Sequence, residues 1–226
     1  MDFSERNKKV AIARWHNFLL LEKEKIPNND EALVSKALLC GFLAGDGSVH
    51  ARKEKKFNHY EINFFPDDDL MLTKYCDVLK QLYGKTPRVK RKSKVFDVRL
   101  TSRTIYDDLA SYSTFGIYSW NLPKRLFAVE GAREAWLRAF FSAEAYVGPD
   151  HIKIQSVNKK GLAEVSKLLD ELDIEHRYYE YSPKNKKHSR VGMIFINKKS
   201  ARKIYYDRIG FWHLRKTVAL REALGL

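Results

Sequence analysis

The amino-acid sequence predicts an α+β fold made from two pseudo-symmetric copies of one unit: helix, two strands, helix, two strands, helix. Three observations predict it. One pattern of small, large and acidic residues occurs twice at a fixed offset, and each copy is followed by the same alternation of helical and strand periodicity. The chain, 226 residues and 44% hydrophobic, is also long and apolar enough to bury a core under both copies.

The offset is read by pairing residues 37–46 with residues 135–144, which lie 98 positions apart, as the final pair 46 and 144 shows. Ala37, Gly41 and Gly45 map onto Ala135, Ala139 and Ala143. Leu39, Phe42 and Val49 map onto Leu137, Phe140 and Val147, and Asp46 maps onto Glu144. Each motif leads into a strand (residues 60–65 or 152–155) and an amphipathic helix (67–83 or 160–172). Two more strands follow in each half, 88–92 and 95–101 or 176–181 and 191–197. A closing helix carries Ile105-Tyr106 or Ile204-Tyr205. The expected organisation is an N-terminal extension (1–30), a first half (31–112), a linker (113–131) and a second half (132–226). Residues 7–21 read as a helix within the extension.

On a helix, residues four apart share a face. Ala37, Gly41 and Gly45 therefore form a strip of minimal side chains, and Ala135, Ala139 and Ala143 form its partner. Such strips let two helix backbones approach closely. If they meet, Asp46 and Glu144 arrive side by side at the negative ends of two helix dipoles, where like charges repel. Divalent cations would offset that cost, and oxygen-only ligation suits Mg2+.

Composition narrows the partner. A net charge of +14 and a pI of about 9.6 call for an anionic one, nucleic acid or an acidic membrane surface. No apolar run approaches the roughly 20 residues of a membrane span, and the start of the chain lacks an apolar signal region, so no membrane role is expected. Cys40 and Cys76 are too few for a disulfide framework and read as free thiols of a reducing intracellular compartment, the cytoplasm in a prokaryotic host.

Residues 39–49, LCGFLAGDGSV, and 137–147, LRAFFSAEAYV, resemble the two motifs of the monomeric LAGLIDADG homing endonucleases, and the likeness runs from residue 31 to 226. The resemblance implies two αββαββα units whose antiparallel sheets form a saddle over duplex DNA, with the motif helices paired at the interface. It implies site-specific hydrolysis of both strands across the minor groove by a monomer with Mg2+ or Mn2+. Asp46 and Glu144 would bind the metal, helped by the carbonyls of Gly45 and Ala143. The alternative within the family is a cleavage-impaired protein that binds DNA, or an RNA-splicing maturase whose partner is intron RNA.

The sequence departs from the family pattern in several places. Ala139 and Ala145 replace glycines, and Ala145 stands where glycine would permit a left-handed exit from the helix. Ser142 stands where an acid is common, and Val147 where some relatives carry a lysine. Pro66, with Ser156 or Val157, occupies positions often polar near the catalytic pair.

Basic turns supply the expected DNA surface: Arg52, Lys53 and Lys55; Arg88, Lys90, Lys92 and Lys94; Lys186 and Arg190. Arg99, Lys153, Gln155 and Arg177 lie along strands, where they could reach base edges. The first half has a long arm at residues 50–60, and the second has a tight turn at 148–151, so an asymmetric target is expected.

Other features have plain structural readings. Asp67, Asp68 and Asp69 suit a helix N-terminus, and residues 178–181 suit a strand. His16, His59, His176, His188 and His213 lack metal-ligand spacing. Trp15, Trp120, Trp136 and Trp212 are expected in the core or at its edges. A rival of another class, a basic RNA-binding protein without the helix pair, predicts that a bulky residue at Gly41 has no special effect.

Overall fold

The structure, a computed structural model, describes residues 3–54, 57–182 and 189–226. An N-terminal helix, α1 (Phe3–Glu24), precedes α2 (Asp30–Asp46). Asn29 starts α2 by accepting the Ala32 amide at 2.9 Å, one of the donors a helix start leaves unpaired. There follow β1 (Gly47–Glu54), β2 (Phe57–Phe64), α3 (Asp69–Tyr83), β3 (Arg88–Lys92), β4 (Val95–Thr101) and α4 (Arg103–Ala110). A 3-10 turn at Leu126–Ala128 lies in the connection. The second unit repeats the order: α5 (Ala132–Glu144), β5 (Tyr146–Val147), β6 (Ile152–Ser156), α6 (Lys159–Glu171), β7 (Arg177–Tyr181), β8 (Val191–Ile196) and α7 (Lys199–Arg208). A final helix, α8 (Leu214–Leu224), closes the chain.

The strands form two four-stranded antiparallel sheets of the same topology, β1-β2-β4-β3 and β5-β6-β8-β7. Because a strand's side chains alternate, register fixes what each face carries. Ile62, Phe64 and Val98 in the first sheet, and Ile152, Ile154, Ile194 and Ile196 in the second, point into the core and are almost fully buried. The opposite faces carry charged and polar residues, joined in the second sheet by aromatic and aliphatic ones.

The two sheets and their helices meet at α2 and α5, the motif helices. An added Cβ on Gly41 would lie 2.4 Å from the Trp136 carbonyl oxygen, and one on Gly45 would lie 2.5 Å from the Ala143 Cβ. Those separations are shorter than any side chain tolerates, so the helices touch backbone to backbone, as the small-residue strips predicted. On their outer flanks Phe42 packs with Phe64 and Tyr75, while Phe140 packs with Trp120 and Trp136. Lys36, also on α2, is buried but paired with Asp108 at 3.1 Å, and Tyr83 completes that carboxylate's bonding. A buried ammonium without such partners would be strongly unfavourable.

Two expectations need correction, and one element was not foreseen. Helix α8 was not predicted, because it lies past the last element of the repeat. Trp15 is 54% exposed and stacks on Phe18, since α1 leaves its apolar residues outside the core. Ala145 needs no left-handed backbone: its φ of −77° and ψ of 142° are extended, and the chain leaves α5 without strain. By contrast Asp68 behaves as expected, capping α3 through the amides of Leu70 and Met71.

Candidate metal centre and nucleic-acid interface

Helices α2 and α5 end at the same level. Asp46 is the last residue of one and Glu144 the last of the other, and a Cβ on Gly45 would lie 3.4 Å from the Glu144 Cγ. The carbonyl of Asp46 accepts the Phe65 amide at 2.9 Å, which ties the end of α2 to the end of β2. Burial pushes the Asp46 carboxyl up to about 6, with Lys216 opposing the rise and Asp67 adding to it. Glu144 keeps an exposed edge, yet the desolvation of its packed side and then the neighbouring Asp46 charge push it up to about 7. Two carboxylates held this close disfavour their own ionisation, and a cation between them would reverse that.

A cation already stands beside them. Lys216, on α8, donates to the carbonyl of Ser142 at 2.6 Å and to that of Ala143 at 2.9 Å. Burial pulls its ammonium below the usual range, while Asp46, Asp67, Glu144 and Asp68 hold it up. Lys216 is thus a C-terminal cap for α5 and a counter-charge for the acidic pair. The lead into α8 is pinned from both halves of the chain. Buried Ser142 accepts the Trp212 amide at 2.7 Å, and Asp68, at the start of α3, accepts the Leu214 amide at 3.1 Å. His213 is buried between Asp67 and Asp68, each 3.3 Å away, and burial pulls its imidazole down.

Comparison with known proteins extends this geometry. Residues 132–210 match the LAGLIDADG-like domain family. A structure of the homing endonuclease I-DmoI in complex with DNA and Mn superposes with a TM-score of 0.64 at 17% identity, covering 79% of this chain and 97% of that one. The homing endonuclease I-WcaI, bound to its DNA recognition sequence, superposes at 0.55 with 13% identity, covering 85% and 86%. The fold is that of the two-motif LAGLIDADG homing endonucleases. In sequence, the chain is 24% identical over 222 residues to a DNA polymerase of Thermococcus kodakarensis and 25% identical over 238 residues to one of Thermococcus aggregans. It covers 12% of the length of each of those polymerases.

Within the LAGLIDADG fold, the sheet faces turned away from the core form the candidate nucleic-acid surface. In the first sheet, register puts Arg52, Arg88, Lys90, Lys92 and Arg99 on that face together with His50, Glu61 and Asp97. Arg99 is clamped by Asp97 through Nε at 2.8 Å and Nη2 at 3.0 Å, and Lys92 reaches the same carboxylate at 2.5 Å. These two cations hold the Asp97 carboxyl down at about 2. Arg52 pairs with Glu61 at 3.1 Å. Lys94 is exposed in the β3–β4 turn, and Lys53 alternates to the other face of the arm. In the second sheet, Lys153, Gln155 and Arg177 share the outward face, and Arg190 is exposed just before β8. Lys55 and Lys186 lie outside the described residues.

Sequence reasoning did not find Lys216, His213 or the bonding of Ser142. The repeat was located by matching one half to the other, and α8 follows the last matched element. The available signal was local: residues 214–224, LRKTVALREAL, are mostly good helix formers, after a Trp-His pair that nothing else used. The carbonyl of Ala143, expected to help hold metal, instead accepts Lys216.

Proposed function

We propose that the protein is a site-specific DNA endonuclease that hydrolyses one phosphodiester in each strand of a duplex, across the minor groove, with a divalent cation that Asp46 and Glu144 would hold. The observation that carries this reading is the paired carboxylates at the ends of two helices in backbone contact, each pushed up by burial. The donor set fits Mg2+ or Mn2+: two carboxylates and nearby carbonyls are hard oxygen ligands, and such ions complete their shell with water and phosphate oxygen. Among the described residues no group of three His, Cys, Asp or Glu gathers as a metal cage, so the remaining ligands would come from DNA and solvent.

A divalent cation bound here supplies a Lewis acid and a more acidic water. The chain's own residues do the rest. Asp46 and Glu144 give up their protons to bind, and the rigid α2–α5 contact fixes their spacing. Lys216 shares the acidic cluster and holds the Ala143 carbonyl, so that carbonyl would reach a cation only if Lys216 released it, and the Lys216 charge would favour an anionic phosphate nearby. The long β1–β2 arm and the two-residue β5 make the two halves grip unequal lengths of duplex, which supports an asymmetric target.

The hold of Lys216 on the Ala143 carbonyl also favours a second reading, a cleavage-impaired LAGLIDADG protein that binds DNA or intron RNA without cutting. One experiment separates the two. A plasmid pool carrying a randomised insert is incubated with protein and Mg2+, and linear molecules are recovered and sequenced. The endonuclease reading expects linear product with a common sequence from the wild type and none from Asp46→Asn. Retention of one sequence by both proteins, with no linear product from either, would leave the second reading standing.

A further inference from the structure

The outward faces of the two sheets occupy equivalent places in the repeat but differ in chemistry. In the first, charged residues predominate. In the second, cross-strand rows run Tyr146, Lys153, Phe195, Arg177, and then Gln155, Met193, Tyr179, with Val191 opposite Tyr181. Tyr146, Tyr179 and Tyr181 are 60%, 45% and 52% exposed, and Val191, Met193 and Phe195 are half-buried between them. Within the face Phe195 packs against His151 and Tyr179, and Lys153 lies 5.8 Å from its ring.

An apolar face on a chain of net charge +14, threaded by Lys153 and Arg177 and flanked by Arg190, fits a polyanion better than an apolar protein surface. What apolar groups can recognise on duplex DNA is narrow. In the major groove, thymine alone among the four bases presents a methyl group, and contact with it is the established apolar readout. Gln155, in the central row, has the amide that pairs with adenine N7 and N6.

Resting on the DNA-binding reading above, we infer that the second sheet reads thymine methyl groups. Its half-site is A·T-rich, with methyls seated against Tyr179, Tyr181, Val191, Met193 and Phe195, and with an adenine opposite Gln155. The first sheet, with Arg88, Lys90 and Arg99 exposed on the corresponding face, makes no such demand.

The test uses Asp46→Asn protein to select duplexes from a randomised library. The winning duplex is then resynthesised with deoxyuridine replacing thymidine in one arm or the other, which removes the methyl and keeps every base-pairing group. The expected result is an A·T-rich arm in which each methyl removed weakens binding about three- to five-fold, while uracil in the other arm has little effect. Tyr179→Ser and Tyr181→Ser change exposed side chains; with unchanged melting temperatures, they should reduce the uracil penalty in the sensitive arm. Equal insensitivity of both arms, or a penalty left unchanged by both substitutions, overturns the inference. So does uracil insensitivity combined with a dimer that the two variants dissolve, which would assign the face to a second copy of the chain. Failure to enrich any duplex would instead remove the DNA-binding reading itself.

Discussion

Lys216 offers one positive charge where a divalent ion would offer two, and both would serve the same acids. If its ammonium and the ion share Asp46 and Glu144, removing it changes the metal-free and metal-bound states unequally. Lys216→Met takes away two charge-assisted hydrogen bonds to the end of α5, each worth about 1.5–3 kcal/mol at most in net terms. The metal-free protein should therefore melt several degrees lower. In the same variant the acids are less well neutralised, so Mg2+ should bind more tightly and raise the melting temperature by more than in the wild type. A Mg2+-induced shift identical in both proteins would show that Lys216 and the ion do not compete. At the same scale, Ser142 is tied in on both sides: buried, it donates to the Arg138 carbonyl at 2.6 Å and accepts the Trp212 amide, so it anchors the lead into α8.

The α2–α5 contact makes predictions that differ by position. On Gly45 a new methyl meets the Ala143 side chain, whereas on Gly41 it meets the Trp136 backbone carbonyl. Gly45→Ala should cost about 1–3 kcal/mol of stability, the usual penalty for overpacking, and adding Ala143→Gly should restore most of it. Gly41→Ala should cost at least as much, and Ala139→Gly should restore little, because a backbone oxygen cannot be trimmed. Urea unfolding of the four proteins checks this, and full rescue at Gly41 would show that the helices can slide apart. The element scale is also where the sequence was most legible. The helix pair, the succession of helices and strands along the chain and the unequal first hairpins follow from side-chain size, period and offset, all local or repeated signals. Phe96, Val98 and Leu100 mark the inward face of the first sheet by simple alternation with Asp97 and Arg99. What stayed hidden was tertiary: that α8 folds back to the motif helices depends on contacts between Asp68 and Leu214, 146 positions apart, which no periodicity encodes. Trp15 misled for a related reason, since an apolar residue on a helix reads as core whether or not the fold covers it.

For the molecule as a whole, the acidic pair links folding, pH and metal in one balance. Asp46 and Glu144 ionise near 6 and 7 in the folded protein but near 4 in an unfolded chain. Between those values the folded state holds protons that the unfolded state has lost. Stability from this source is therefore present at low pH and falls as pH rises from about 4 through 7. Divalent cations act in the opposite direction, because they bind only the ionised pair and compete with its protons. The melting temperature of the metal-free protein should decline between pH 5 and pH 8 more steeply than that of the Asp46→Asn, Glu144→Gln double variant. Across the same range the stabilisation by Mg2+ should grow for the wild type and stay small for the variant. The comparison with the double variant cancels groups that titrate independently of the pair, while Lys216, whose ammonium the pair holds up, shifts with it. Parallel pH curves for the two proteins would mean that the carboxylates are solvated and independent, and a helix junction that does not bring them together could not position one ion for two strands.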